Sequence, residues 1–125
     1  MKTGLIIIIA SASALLAVSV GAFGAHGASS EQAKAWIVTG SQQHMAHSLA
    51  MFVAAFVAAQ GGKRAVLSVP LFGFGIVLFS GSLYALALGA PKIVAMLVPV
   101  GGVSFMIGWC VLAYAGWQLS RRDET

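Results

Sequence analysis

Residues 21–47 read GAFGAHGASSEQAKAWIVTGSQQHMAH and form the longest polar interruption in an otherwise apolar chain. The segment contains Glu31, one of three acidic residues, and all three histidines, which are His26, His44 and His47. We therefore expect any chemistry of the protein to lie in this segment or against it. The apolar runs on either side of it decide the class of fold.

The composition indicates a membrane protein. Of the 125 residues, 59% are hydrophobic and 8% are charged, and the mean hydropathy is +0.93. Soluble domains carry about a quarter charged residues, and a chain of this length cannot bury so much apolar surface in a core. Lipid is therefore the expected solvent for most side chains, and the lipid bilayer is the first expected partner.

Charged residues divide the chain into four uncharged stretches, each long enough for a transmembrane helix of about 20 residues. The predicted fold class is an all-α integral membrane protein, a bundle of four transmembrane helices forming a single domain over residues 1–125. The predicted helices cover residues 4–25, 42–60, 68–89 and 92–119, with a polar outer loop at 26–41 and a cytoplasmic tail at 120–125.

Basic residues predict the orientation. With four spans, the termini share one side with the second loop, and this side holds Lys2, Lys63, Arg64, Arg121 and Arg122. The other side holds Lys34 and Lys92. The positive-inside rule then predicts a multi-pass protein of the bacterial plasma (inner) membrane with both termini cytoplasmic, and the inverted topology is the alternative.

The first apolar run has a second interpretation, as a cleaved signal peptide. Lys2 precedes it, and Ala22-Phe23-Gly24 is an acceptable cleavage site. However, the run is longer than the roughly 7–15 apolar residues of a signal-peptide core. Three further spans would remain after cleavage, so the class of protein is the same in both cases.

Within the polar segment, we predict a short interfacial helix over residues 30–38. Ser29 and Gln32 have the spacing of a capping box, and Trp36 suits the depth of the lipid headgroups. The Thr39-Gly40-Ser41 sequence is predicted to end or bend this helix before the second span begins. A single continuous bent helix is the alternative.

A helix break is predicted in the fourth span, at Pro99, Gly101 and Gly102. Proline cannot donate a hydrogen bond to the carbonyl of Ala95, and two glycines follow closely, so the helix is expected to kink or unwind. Small residues elsewhere recur at steps of four or a multiple of four, which favours close packing of membrane helices and self-association. They are Ala17-Gly21-Ala25, Gly81-Ala85-Gly89 and Ser104-Gly108-Gly116.

The polar and broken features converge on one depth, in the outer half of the predicted bundle. They either cross-link the helices by hydrogen bonds or line a pocket for a small solute, ion or metal. The candidate pocket consists of His26, His47, Ser80, Ser82 and Tyr84. His44 lies three residues before His47 and could add a nitrogen ligand, but the cluster contains no carboxylate, so we predict no metal and no cofactor.

Sequence motifs of enzymes, such as GxSxG or a P-loop, do not occur, and Cys110 is a lone cysteine. The basic residues are scattered, which argues against nucleic acid as a partner. We therefore expect a non-enzymatic structural or accessory protein that associates with itself or with other membrane proteins. The alternatives are binding or translocation of a small solute or ion around His26 and His47 and, more remotely, a metal-dependent membrane enzyme.

Four motifs, spread over almost the whole chain, resemble those of a known family. They are GAFGAH at 21–26, Trp36 with Thr39-Gly40 and with His47, Leu49 and Ala50, LFSGSLY at 78–84, and PVGG at 99–102 followed by Ser104-Phe105 and Gly108-Trp109. In these motifs the chain resembles the YgdD/YwdK family of small four-span bacterial inner-membrane proteins of unknown function, which has a four-span eukaryotic relative.

The resemblance implies four spans with a retained first helix, and it implies no activity. It favours His26 and His47 as residues typical of the family, whereas His44 stands where relatives have other residues and is therefore the doubtful member. The chain departs from the family at Gln43, where Tyr is usual, and at Val98, where Thr is frequent.

Overall fold

The computed structural model of the protein describes every residue except the side chain of Ala25. Within this description the chain is helical with short connections and contains no strand. Four helical rods follow one another along the chain. They are α1 (Thr3–Gly27), α2 (Glu31–Ala59), α3 (Lys63–Ala87) and α4 (Lys92–Asp123).

The third and fourth rods are not uniform. Each begins with a 3₁₀ turn, at Lys63–Leu67 in α3 and at Lys92–Met96 in α4. In α3, an α-helical segment (Ser68–Gly75) leads into a π-helical segment (Ile76–Ser80) and then into a second α-helical segment (Gly81–Ala87). In α4, the α-helix runs from Leu97 to Asp123. Both rods therefore begin irregularly, and α3 also changes helix type in its middle.

The predicted interfacial helix and the predicted interruption at Gly40 are wrong, because α2 is one continuous helix. Its cap is Ser30, whose hydroxyl accepts a hydrogen bond from the Ala33 N–H at 3.0 Å. A Cβ added to Gly40 would lie 2.7 Å from the Tyr84 ring. The glycine thus allows α3 to approach closely and does not turn the chain. The connection between α1 and α2 is also shorter than the predicted polar loop at 26–41, since it covers residues 28–30 alone.

The predicted helix break at Pro99, Gly101 and Gly102 is also wrong. The α-helix starts at Leu97, so Pro99 lies in the first turn, where a backbone N–H needs no helical partner. Both glycines are helical. A Cβ added to Gly101 would lie 2.8 Å from Cβ and 2.9 Å from Cα of Phe79. Gly101 therefore allows the backbones of α3 and α4 to approach closely.

The change of helix type occurs in α3, the helix that packs against Gly101. Phe79 belongs to the π-helical segment of α3. Gly75, just before that segment, lies against the side-chain ring of Phe105 in α4. A π-helical turn widens the helix locally. Two close contacts between α3 and α4 thus coincide with the change of helix type.

The predicted small-residue faces are used unevenly. Ala17 is buried, and an added Cβ on Gly108 would lie 2.6 Å from the Phe72 ring. By contrast, nothing lies within 4 Å of an added Cβ on Gly89 or Gly116. Glycine spacing alone therefore does not separate packed positions from exposed ones.

The distribution of apolar side chains fits a lipid environment. All four helices contribute to one core, which includes Ile6, Met51, Phe72, Phe105 and Leu112. Many outward-facing side chains are also large and apolar, among them Phe23, Phe56, Val77, Ile93 and Met106. In the described part of the chain, α1, α3 and α4 are long and apolar enough to cross a membrane. The protein is an all-helical membrane protein.

Candidate functional site

Two histidines of α2, His44 and His47, are buried in the bundle, each with a relative exposure of 5%. They lie within one turn of the helix and contact different neighbours. His44 makes hydrogen bonds to side chains of α1 and α3, whereas His47 bonds to a side chain of α4. Together they connect α2 to the other three helices.

His44 is the centre of a chain of hydrogen bonds. Its Nδ1 lies 3.0 Å from the Tyr84 hydroxyl, and its Nε2 lies 3.1 Å from the Ser13 hydroxyl. The Ser13 oxygen lies 2.6 Å from the Ser48 hydroxyl, which in turn donates to the backbone carbonyl of His44 at 2.8 Å. Polar groups of α1, α2 and α3 therefore form one layer.

Each bond in this chain has a definite direction, because a hydroxyl carries a single proton. Ser48 donates its proton to the His44 carbonyl and must accept from Ser13. Ser13 then has no proton left and must accept from the Nε2–H of His44. A neutral His44 accepts at Nδ1 from the Tyr84 hydroxyl. The whole set is satisfied by one tautomer of an uncharged imidazole.

The partners of His47 also select one tautomer. Its Nδ1 lies 2.7 Å from the Gln43 carbonyl, which can only accept, so Nδ1 carries the proton. Its Nε2 accepts from the indole N–H of Trp109 at 3.1 Å. The ring stacks on Phe105 with centroids 3.5 Å apart and planes at 8°, and Phe72 lies on another side at 5.5 Å. Aromatic rings thus fill the space around this imidazole.

Two serine hydroxyls link helices through backbone carbonyls. Ser80 of α3 donates to the Gly40 carbonyl of α2 at 2.7 Å. Ser104 of α4 donates to the Leu71 carbonyl of α3 at 2.7 Å. Ser82 is buried as well, but it takes no part in the chain around His44. Within the described residues, no buried side-chain nitrogen or oxygen lacks a hydrogen-bond partner.

An open groove of about 380 Å³ lies beside the polar layer. Its walls are apolar side chains of α1, α2 and α3 such as Val20, Phe23 and Ile37, and Tyr84 is one of its two polar lining residues. Five grooves in the described part of the chain have neither His44 nor His47 among their lining residues. Tyr84 brings the polar layer to the edge of the groove beside it.

A family described as "Protein of unknown function (DUF423)" matches residues 20–102, a segment that contains both buried histidines and Tyr84. The chain belongs to the DUF423 family. This confirms the resemblance indicated by the sequence motifs. No solved structure matches the chain.

Relatives of this DUF423 member are named as membrane proteins of the group UPF0382. The one from Haemophilus influenzae is 42% identical over 109 residues, covering 85% of this chain and 88% of the relative. YwdK of Bacillus subtilis is 43% identical over 114 residues, covering 87% and 93%. The inner membrane protein YgdD of Escherichia coli K12 is 38% identical over 129 residues, covering 98% and 96%.

The predicted pocket residues do not all come together in this DUF423 protein. His26 is exposed in the last turn of α1 and lines a surface depression with Ala22 and Phe23. The described contacts do not bring it to His47. His44, which the family resemblance made doubtful, instead has the central position. Among the described residues, no three histidine, cysteine or acidic side chains are grouped closely enough to hold a metal ion.

Sequence reasoning missed Ser13, Ser48 and Trp109 as partners of the histidines. Ser48 follows His44 by one helical turn, so its proximity was predictable from spacing. Ser13 and Trp109 come from other helices, and both lie outside the segment that matches the family. Their roles depend on how the helices pack.

Proposed function

We propose that this protein is a four-span protein of the plasma membrane with both termini in the cytoplasm and a structural or accessory role, associating with itself or with other membrane proteins. One observation supports a non-enzymatic role above the others. All the ring nitrogens of His44 and His47 are engaged by Tyr84, Ser13, Gln43 and Trp109. An imidazole that acts as a base or a ligand needs a nitrogen that faces substrate or ion. These imidazoles instead hold helices together.

The geometry gives less support to the alternatives. A solute or ion pathway around His26 and His47 requires space beside His47, where the Phe105 and Phe72 rings lie. His26 would also have to leave the exposed surface of α1. A metal-dependent enzyme requires a group of ligands, and each buried histidine already has two hydrogen-bond partners. We therefore favour cross-linking of the helices.

The length and position of α2 support a fourth span. Its 29 residues correspond to about 43 Å at 1.5 Å per residue, which exceeds a hydrocarbon core of about 30 Å. Its less apolar half turns Gly40, His44, His47 and Ser48 into the bundle, where they are buried. Polar groups satisfied inside the protein are tolerated at membrane depth. A polar segment can therefore cross the bilayer here.

The proposed orientation predicts the location of reporters fused along the chain. Fusions at Gly62 and Thr125 should give a cytoplasmic signal, and a fusion at Ala90 should give an extracytoplasmic one, because α3 separates Gly62 from Ala90. Paired alkaline phosphatase and fluorescent protein fusions would measure this. An extracytoplasmic reporter at Thr125 would contradict the orientation, and identical signals at Gly62 and Ala90 would contradict the span.

The proposed cross-linking role predicts that Ser13→Ala destabilises the bundle. The change removes the acceptor of the His44 Nε2–H and the donor to Ser48, which should cost about 1–2 kcal/mol. Ser19→Ala is the matched control, because Ser19 is half-buried like Ser13 but bonds only to the Leu15 carbonyl of its own helix. Unfolding in detergent micelles would compare the two. Equal stability of the two variants would show that the polar layer does not hold the helices.

A further inference from the structure

Two apolar grooves flank Leu67 at the end of the bundle that carries both termini. The first, of about 410 Å³, lies between α1, α2 and α3 and has Lys63 among its lining residues. The second, of about 330 Å³, lies between α3 and α4 and has Arg64 among them. Leu67 lines both grooves and is 59% exposed. Both volumes are in the range of ligand sites, and each groove carries one cation.

The two cations are adjacent in a segment whose geometry aligns them with the grooves. Lys63–Leu67 is a 3₁₀ turn, in which side chains three residues apart lie in line along the axis. Arg64 therefore lies in line with Leu67, the residue that separates the grooves. Lys63 and Arg64 are both exposed, so their charged groups are accessible to a ligand.

The guanidinium of Arg64 is held in place but is not neutralised. It lies 5.6 Å from the centre of the Tyr114 ring, and Tyr114 lines the same groove. Arg122 differs, because it donates to the Gly61 carbonyl at 2.9 Å. Contact with an aromatic face leaves the guanidinium N–H groups free to donate to an anion. Within the described residues, neither Lys63 nor Arg64 is paired with a carboxylate.

We propose that this end of the bundle binds one anionic diacyl phospholipid. Its phosphate lies between Lys63 and Arg64, and its two acyl chains enter the two grooves on either side of Leu67. Charge complementarity favours an anionic headgroup, since arginine and lysine both donate to phosphate oxygens. Basic pockets between transmembrane helices are recognised sites for acidic lipids. The apolar walls, including Val66 and Val111, fit the acyl chains.

The test is lipid binding by the purified full-length protein in detergent, followed by native mass spectrometry. Phosphatidylglycerol should bind in preference to phosphatidylcholine with identical chains. The Lys63→Gln/Arg64→Gln variant should bind phosphatidylglycerol roughly 30-fold more weakly. The Lys34→Gln/Lys92→Gln variant is the control, because it removes the same charge from the opposite end. Equal loss in both variants, or no loss in the first, would overturn the proposal.

Two further arms separate the headgroup from the acyl chains. Glycerol 3-phosphate should not displace the lipid, and full displacement would mean that the site recognises free phosphate and not a phospholipid. Cys110→Phe places a bulky ring in the second groove at an exposed position and leaves both cations unchanged. It should weaken phosphatidylglycerol binding at least several-fold. Unchanged binding would show that no acyl chain occupies this groove.

Discussion

Gly101→Ala is expected to destabilise the protein strongly, by about 2–3 kcal/mol, although alanine is the better helix former by about 1 kcal/mol. The added methyl group would lie within 2.9 Å of both Cβ and Cα of Phe79. These atoms belong to, or are attached directly to, the backbone of the π-helical segment, so no side-chain rotation relieves the contact. Either α3 and α4 separate or the π-helical segment rearranges. Thermal unfolding in detergent micelles would measure the loss.

Gly116→Ala is the matched control for this substitution. Gly116 belongs to the same α-helix, and nothing lies within 4 Å of its added Cβ. Alanine there should leave the stability unchanged or raise it by about 0.5–1 kcal/mol through helix propensity. If Gly101→Ala is as stable as Gly116→Ala, the close backbone contact between α3 and α4 does not exist as described.

His47→Ala is expected to cost about 2–4 kcal/mol, because two losses combine. The change removes a ring stacked on Phe105 at 3.5 Å and leaves a cavity between aromatic side chains. It also removes the acceptor of the Trp109 indole N–H. Unfolding by heat or by a denaturing detergent would compare the variant with the parent protein.

His26→Ala is the control for the histidine variant. His26 is exposed, so its loss should change stability by no more than about 0.5 kcal/mol. The pair also separates the proposed structural role from the pocket alternative. If both variants stay as stable as the parent and both abolish a transport or ligand-binding signal, the histidines do not serve to cross-link the helices.

The class of protein could be predicted from the sequence because it depends on composition. A chain that is 59% hydrophobic and 8% charged is too short to bury its apolar surface in the core of a water-soluble fold. The uncharged stretches also indicated where helices occur, because each helix must satisfy its own backbone in lipid. The motifs around Trp36, Ser80 and Pro99 were sufficient to indicate the family.

Whether an individual glycine or proline interrupts a helix or lies within one could not be predicted in the same way. Gly40 was predicted to end or bend a helix, and Gly101 to contribute to a kinked or unwound stretch. Both are helical positions where another helix approaches closely. Local propensity describes the isolated chain, in which glycine disfavours helix. In the folded protein, however, only a residue without a side chain allows Tyr84 to pack against Gly40 and Phe79 to pack against Gly101. The π-helical segment around Phe79 has no local signal for the same reason.

The amino-acid sequence by itself determined that this protein lies in a membrane, that it is helical and which family it belongs to. These properties depend on how many apolar and charged residues occur and in what order. Only the tertiary structure decided which histidines form hydrogen bonds between helices. Ser13 lies 31 residues from His44, and Trp109 lies 62 residues from His47. Hydrogen bonds over such separations exist only after the helices have packed, and this packing made His44 the centre and left His26 outside.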